Sequence, residues 1–114
     1  MLFRSQRFTY GNLAGTTISV TIASASPSSL NKPTGVILDA DGYLFIVESD
    51  PGRIIGQDLY GFRCVAGCSG EGDSVNKLKK PQSLSFDRHG NIFVADTDNK
   101  RIQKFLLMTN TCSK

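Results

Sequence analysis

A segment of this chain is repeated at a fixed interval. It starts at Leu30 as LNKPTGVILDADGYLFIVESDPGRI and returns 48 residues later, at Leu78, as LKKPQSLSFDRHGNIFVADTDNKRI. No gap is needed over the 25 paired positions, and nine of them are identical. The identical positions include Pro33 and Pro81, Asp39 and Asp87, Gly42 and Gly90, and Arg53 and Arg101. A repeat of this period is typical of one unit in an array, in which each unit buries its apolar side chains against a neighbour.

Each unit has the pattern of short strands separated by turns. The first apolar run follows a proline, and a hairpin is predicted at Gly42 or Gly90, because glycine tolerates the positive φ of a tight turn. The acid-hydroxyl-acid stretches 48–50 and 96–98 predict a second turn, and a third strand begins at the arginine that follows. A fourth strand is expected at 63–66. Four antiparallel strands in a unit of this length are typical of a β-propeller blade.

The motif Pro-x-Gly-Val-x-x-Asp-x-x-Gly-x-Leu-Phe-Ile-x-Glu-Ser-x-x-x-Arg-Ile, with its second copy, resembles the NHL repeat over residues 30–55 and 78–105. The resemblance implies an all-β fold, a partial, open β-propeller of about two four-stranded antiparallel blades. It does not imply one activity, because NHL propellers include protein binders, RNA binders and a lyase that acts on amidated-peptide precursors.

The repeat divides the chain into five parts. Residues 1–15 resemble the end of a preceding blade, 16–29 a surface loop, 30–67 a first blade, 68–77 a connecting loop, and 78–114 a second blade whose fourth strand is truncated. Propellers usually have about four to eight blades. We therefore expect a fragment of a larger propeller protein with missing blades. A short protein that closes a ring by self-association is the alternative.

The cysteines favour a structural disulfide. Cys64 and Cys68 are separated by a short stretch that includes a glycine, and Cys112 lies one repeat period after Cys64. A local disulfide indicates an oxidising compartment, so we expect a secreted or cell-surface protein. Metal capture or redox chemistry is the alternative, but His89 and Cys112 form no further ligand pair, so neither a metal site nor a cofactor is expected. No apolar run is long enough to span a membrane.

The net charge of +3 does not identify a partner. Lys77, Lys79 and Lys80 form a possible basic patch that would bind RNA in one interpretation and would be a solvated loop in the other. No aromatic residues for base stacking are interleaved with these lysines, so a nucleic-acid partner is not expected.

The repeated acids have a structural and a metal-binding interpretation. Calcium coordination by Asp39 and Asp41, or by Asp96 and Asp98, is one possibility. The other is that the acids cap turns and that an Asp contacts the nearby Arg, which would pair Asp50 with Arg53 and Asp98 with Arg101. We favour the second, because the residue that matches Asp41 in the other copy is His89.

No catalytic residues are predicted. The chain has a single histidine, His89, at a turn position, and no nucleophile accompanies it in a recognisable motif. The lyase with this type of repeat has several histidine ligands, which this chain lacks. The predicted function is therefore a non-catalytic propeller module that acts as a protein-binding scaffold. The alternative is an RNA-binding platform of an intracellular protein of the ubiquitin-ligase type.

Overall fold

The computed structural model describes residues 15–106, which form two β-sheets. The elements in chain order are β1 (Ile22–Ala23), β2 (Lys32–Leu38), β3 (Leu44–Asp50), β4 (Arg53–Asp58), β5 (Gly61–Ala66), β6 (Ser83–Phe86), β7 (Ile92–Asp96), a short 3-10 turn (Thr97–Asn99) and β8 (Arg101–Phe105). The first sheet has the strand order β1-β5-β4-β3-β2, and the second has the order β6-β7-β8. The predicted all-β fold is confirmed.

Strands β2 to β5 form an antiparallel meander, which we call blade 1, and β6 to β8 form blade 2. Both blades begin with a hairpin at the predicted glycine, since Gly42 and Gly90 each have a φ of 85°. The preceding-blade end at 1–14 and the fourth strand of blade 2 near Cys112 lie outside the described residues.

The segment 16–29 was predicted to be a surface loop, and that prediction is wrong for its central part. Ile22 and Ala23 form β1, which pairs in parallel with the outermost strand of blade 1, β5. Ile22 is buried against Ile46, Ile55 and Phe62. The physical reason is that this face of blade 1 is apolar, and the segment covers it.

The second turn of blade 1 lies further along the chain than the predicted residues 48–50. Strand β3 continues through residues 48–50, and the chain turns at Pro51 and Gly52 instead. Glu48 stays in the strand because it pairs directly with Arg53 across β3 and β4. In blade 2 the turn predicted at 96–98 lies one residue later, because the strand ends at Asp96 and 97–99 form the turn.

Two apolar clusters hold the molecule together, one on each face of blade 1. The cluster between the blades contains Val47, Ile54, Ala66, Leu78, Leu84 and Val94. The second cluster lies on the opposite face, under the 20–30 segment. The neighbouring residues Ile46 and Val47 belong to different clusters, so both faces of β3 are covered, as the unbroken apolar run from 44 to 47 predicts.

Candidate functional site

A buried carboxylate and an arginine recur at the repeat interval, and we call each set a clasp. In clasp 1 the Glu48 carboxylate accepts hydrogen bonds from the Asn31 backbone N–H at 2.6 Å and from Arg53 Nε. Arg53 Nη2 donates to the Ser29 carbonyl at 3.2 Å. Clasp 1 therefore ties the segment that precedes blade 1 to the middle of the blade.

Clasp 2 repeats this geometry with residues 48 positions later. Asp96 accepts from the Lys79 N–H at 2.6 Å and from Arg101 Nε at 2.7 Å. Arg101 Nη2 donates to the Lys77 carbonyl at 2.9 Å, and Asn99 Nδ2 donates to Asp96 at 2.9 Å. Clasp 2 thus fixes the link between the two blades.

The clasps correct the predicted acid–arginine contacts. Asp50 and Asp98 were expected to face Arg53 and Arg101, whereas the partner in each copy is the acid two residues earlier. The sequence contains a signal for this pairing, because Glu48 aligns with Asp96 in the repeat. Finding it required the β3–β4 register, which brings Glu48 opposite Arg53.

The other repeated acids hold the hairpin turns. Asp39 Oδ1 accepts from the N–H groups of Asp41 and Tyr43, each at 2.9 Å. Asp87 Oδ1 accepts from His89 at 2.8 Å and from Asn91 at 3.0 Å. The Asn91 side chain also donates to Asp87, and this bond is the main reason that the pKa of Asp87 is lowered. These contacts are those of turn-capping residues.

The prolines lie where each blade begins. Pro33 is exposed in β2, whereas Pro81 is fully buried two residues before β6. The difference follows from position, since Thr34 of blade 1 donates its hydroxyl to the Pro81 carbonyl at 3.2 Å across the blade boundary. The first strands of the two blades are therefore neighbours, as the innermost strands of a propeller are.

A cleft opens between the two blades at the end where the hairpin turns 39–43 and 87–91 lie. Its volume is about 760 Å³. The aromatic side chains Phe45 and Phe86 meet edge to face in its floor, with ring centroids 5.2 Å apart. The lining also includes Ile92 and Phe105, and the charged rim consists of Asp39, Asp41, Asp87 and Arg88. The cleft is thus apolar inside, with more acidic than basic groups at its mouth.

Two large exposed side chains lie at the same end of blade 1. Leu59 is 79% and Tyr60 is 89% exposed in the turn between β4 and β5. The turn itself is held by Asp58, which accepts from the Tyr60 N–H at 2.8 Å and pairs with Arg63 at 2.7 Å. We call this end, with the turns 39–43, 58–61 and 87–91, the hairpin end.

The possible basic patch lies at the opposite end of the blades, on the link. The Lys80 Nζ atom is 3.9 Å from a carboxylate oxygen of Glu71, and the Lys77 side chain packs on Gly72. Lys79 is exposed. The structure therefore places the three lysines on one segment, but at least one of them is beside an acid.

Cys64 and Cys68 are joined as a disulfide, with their Cα atoms 5.8 Å apart. The bond connects the end of β5 to the start of the link. It is compatible with an extracellular location.

Metal and membrane features are absent from the part of the chain that the structure describes. Residues 15–106 contain no group of three or more His, Cys, Asp or Glu side chains placed to hold a metal ion. Within the same range, no helix has the length and apolarity needed to cross a membrane.

The fold and the two clasps define a pair of β-propeller blades. Residues 78–105 match the family model of the NHL repeat, a range that covers blade 2 and the acid and arginine of clasp 2. Blade 2 therefore matches an NHL repeat, and this repeat is characteristic of propeller-type protein-interaction modules. No curated protein matches the chain.

Proposed function

We propose that this chain is a non-catalytic propeller module that binds a protein partner through its hairpin end. The observation that carries the proposal is the interblade cleft with its aromatic floor. Leu59 and Tyr60, exposed in the β4–β5 turn of blade 1, add apolar surface at the hairpin end. Tyrosine is enriched at binding interfaces because it buries a large apolar ring and keeps a polar hydroxyl. A turn seldom needs two large exposed side chains such as Leu59 and Tyr60 for its own stability.

The position of His89 supports a role without catalysis. His89 is exposed in the β6–β7 turn, and its backbone N–H is used to hold Asp87. Catalytic histidines are usually held by a partner next to a nucleophile. The acids near His89 serve the turns, so binding explains this end of the molecule better than acid–base chemistry does.

The variants that test the proposal differ only at exposed positions. The double variant Leu59→Ser/Tyr60→Ser removes the apolar tips of the hairpin end, and Val75→Ser is the matched control, because Val75 is exposed on the link at the other end. Immobilised proteins are compared for capture of proteins from extracellular fluid. A partner retained by the wild type and the control, and lost at least about tenfold in the double variant, is expected. A partner that binds all three equally would contradict a hairpin-end site.

RNA binding is the alternative outcome, and it has its own measurement. A mixed single-stranded RNA pool is titrated against the chain at low and high salt. We expect no salt-dependent binding, because Lys80 is beside Glu71 and the lysines have no stacking aromatics between them. Binding that is lost when Lys77, Lys79 and Lys80 are changed to Glu would replace the protein-binding proposal.

We also propose that the protein is secreted or displayed at the cell surface. The support is the Cys64–Cys68 disulfide, because such bonds persist in oxidising compartments. Thiol titration of the native protein, isolated with its thiols blocked at lysis, tests this. One reactive thiol among the three cysteines is expected, and three would indicate a reducing compartment.

A further inference from the structure

The face of blade 2 that points away from blade 1 carries apolar side chains. Cross-strand pairing places Phe93 and Lys104 on this face, together with Ala95 and Ile102. Lys104 Nζ lies over the Phe93 ring at 5.3 Å, and Ile102 is 68% exposed. We call this surface the distal face of blade 2.

Blade 1 has an equivalent distal face, and blade 2 covers it. One repeat earlier, Phe45 and Ile54 occupy the positions of Phe93 and Ile102, and the residues are identical in both pairs. Ile54 has no exposed surface, because it packs in the cluster between the blades. The position that Ile54 occupies in blade 1, where it is fully buried, is therefore occupied in blade 2 by Ile102, the most exposed apolar residue of the distal face.

The distal face of blade 1 is covered by the face of blade 2 that points toward blade 1, which we call the proximal face. On this face Leu84 is 8% exposed and Val94 is buried. Blade 1 has an equivalent proximal face. The residues one repeat earlier are Val36 and Ile46, and Val36 is 58% exposed. An apolar groove of about 390 Å³ lies beside it, and its lining includes Val36, Leu44 and Ile46. The proximal face of blade 1 is thus apolar and open around Val36, whereas the 20–30 segment covers its Ile46 and Ile55 side chains.

The described part of the segment before blade 1 forms one wall of this groove, through Ile18, Val20 and Leu30, and does not fill it. The segment lies against β4 and β5, where Ile22 contacts Ile55 and Phe62, and Arg53 holds its Ser29 carbonyl. The link before blade 2 is held in the equivalent way by Arg101, through the Lys77 carbonyl. The link packs beside the interface between the blades without preventing it, and the segment before blade 1 borders the groove at Val36 from the corresponding side.

We propose that the distal face of blade 2 binds the proximal face of blade 1 in a second copy of this chain, with the geometry of the interface between the two blades. The interface is head to tail, so each association leaves one face of each kind free until the ring closes. Each copy contributes the two blades that residues 15–106 form, so rings of two to four copies would contain four to eight such blades, the range that propellers have. This proposal concerns a different surface from the hairpin end and does not depend on it.

The experiment uses one variant for each face. Ile102→Lys places a charge on the distal face, and Val36→Lys places one on the proximal face. Both residues are exposed in a single copy, so the fold is expected to remain, as checked by circular dichroism. Burying an unpaired ammonium is costly, so each variant should weaken association about a hundredfold or more. Val75→Lys, at an exposed position of the link, is the matched control.

Light scattering after size exclusion, from micromolar to millimolar protein, gives the mass. The wild type and Val75→Lys should have the mass of two to four chains of 12.4 kDa, and each face variant should be a monomer. An equal mixture of Ile102→Lys and Val36→Lys retains one intact face of each kind, so it should form a complex of two chains and nothing larger. A wild type that stays monomeric, an Ile102→Lys variant that still assembles, or a mixture that stays monomeric would each overturn the proposal.

Discussion

A carboxylate without solvent contact is unfavourable unless donors replace the lost water, and Asp96 shows how the repeat meets this condition. Burial raises the pKa of Asp96. The hydrogen bonds from the Lys79 N–H, Asn99 and Arg101 lower it by more, so the pKa lies below the ordinary value of 3.8. The ionised form is therefore the one that stabilises the fold.

Replacing Asp96 tests the clasp. Asp96→Asn removes the charge facing Arg101, and we expect it to lower the free energy of unfolding by about 1–3 kcal/mol, since Arg101 is partly exposed. Asp98→Asn is the control, because Asp98 is exposed and is the acid that the spacing alone would pair with Arg101. The control should change stability by less than about 0.5 kcal/mol. Urea unfolding at neutral pH measures both, and equal effects would contradict the clasp.

The pKa shifts also predict the acid sensitivity. Because the pKa of Asp96 is lower in the folded state, the unfolded chain binds more protons in acid, and stability is lost as the pH falls below about 4 and through the folded pKa. The Asp96→Asn variant should show a shallower loss over the same range. Asp87 shifts in the same direction, so some slope should remain. Urea midpoints across the acid range measure the difference, and parallel curves for the two proteins would exclude Asp96 as a source.

At the scale of elements, the sequence predicts the strands whose ends are marked and misses those that depend on distant partners. Gly42 and Gly90 mark two hairpins, and both were placed correctly. Strand β1 has no such mark, because the segment around Ile22 is rich in Thr, Ser and Ala and forms its strand only by pairing with β5. The clasp acids were missed for a similar reason, since spacing along the chain does not show which acid faces Arg53.

The packing of the 16–29 segment on blade 1 is tested by truncating Ile22, the buried side chain of that segment. Ile22→Ala should cost about 2–4 kcal/mol, because it leaves a cavity between β1 and the side chains of Ile55 and Phe62. Ile18→Ala is the matched control, because Ile18 is in the same segment but is largely exposed. Urea unfolding of the two variants should separate them by at least about 1.5 kcal/mol. Similar values would mean that the 16–29 segment is the surface loop that its composition predicts.

Glycines at turns differ in what surrounds them. Gly67 ends β5 with a φ of 72°, and a Cβ there would collide with the Gly52 carbonyl oxygen. Gly42 has a φ of 85° but open space around it. We therefore expect Gly42→Ala to cost about 1 kcal/mol and Gly67→Ala to cost at least about twice as much. Thermal unfolding of both variants measures this order, and the reverse order would contradict the close approach of β5 to the β3–β4 turn.

At the scale of the whole molecule, the two blades share one core. Leu78 precedes blade 2 and is fully buried, in the same cluster as Val47 of blade 1 and Val94 of blade 2. In repeat proteins the interfaces between neighbours carry much of the stability. The blades should therefore unfold together, although each one is a separate sheet.

Leu78→Ala tests this coupling. The variant leaves a cavity at the boundary and should lower the free energy of unfolding by about 2–5 kcal/mol. Native-state hydrogen exchange should show the same loss of protection at the amides of Val47 and Val94, since the strands on both sides of the cavity open in one step. The measurement is made in the Ile102→Lys background, so that association between copies does not contribute. Val75→Ala, on the exposed part of the link, is the control. If protection were lost at Val94 alone, blade 1 would be stable without its neighbour, and the shared core would not be what holds the two sheets together.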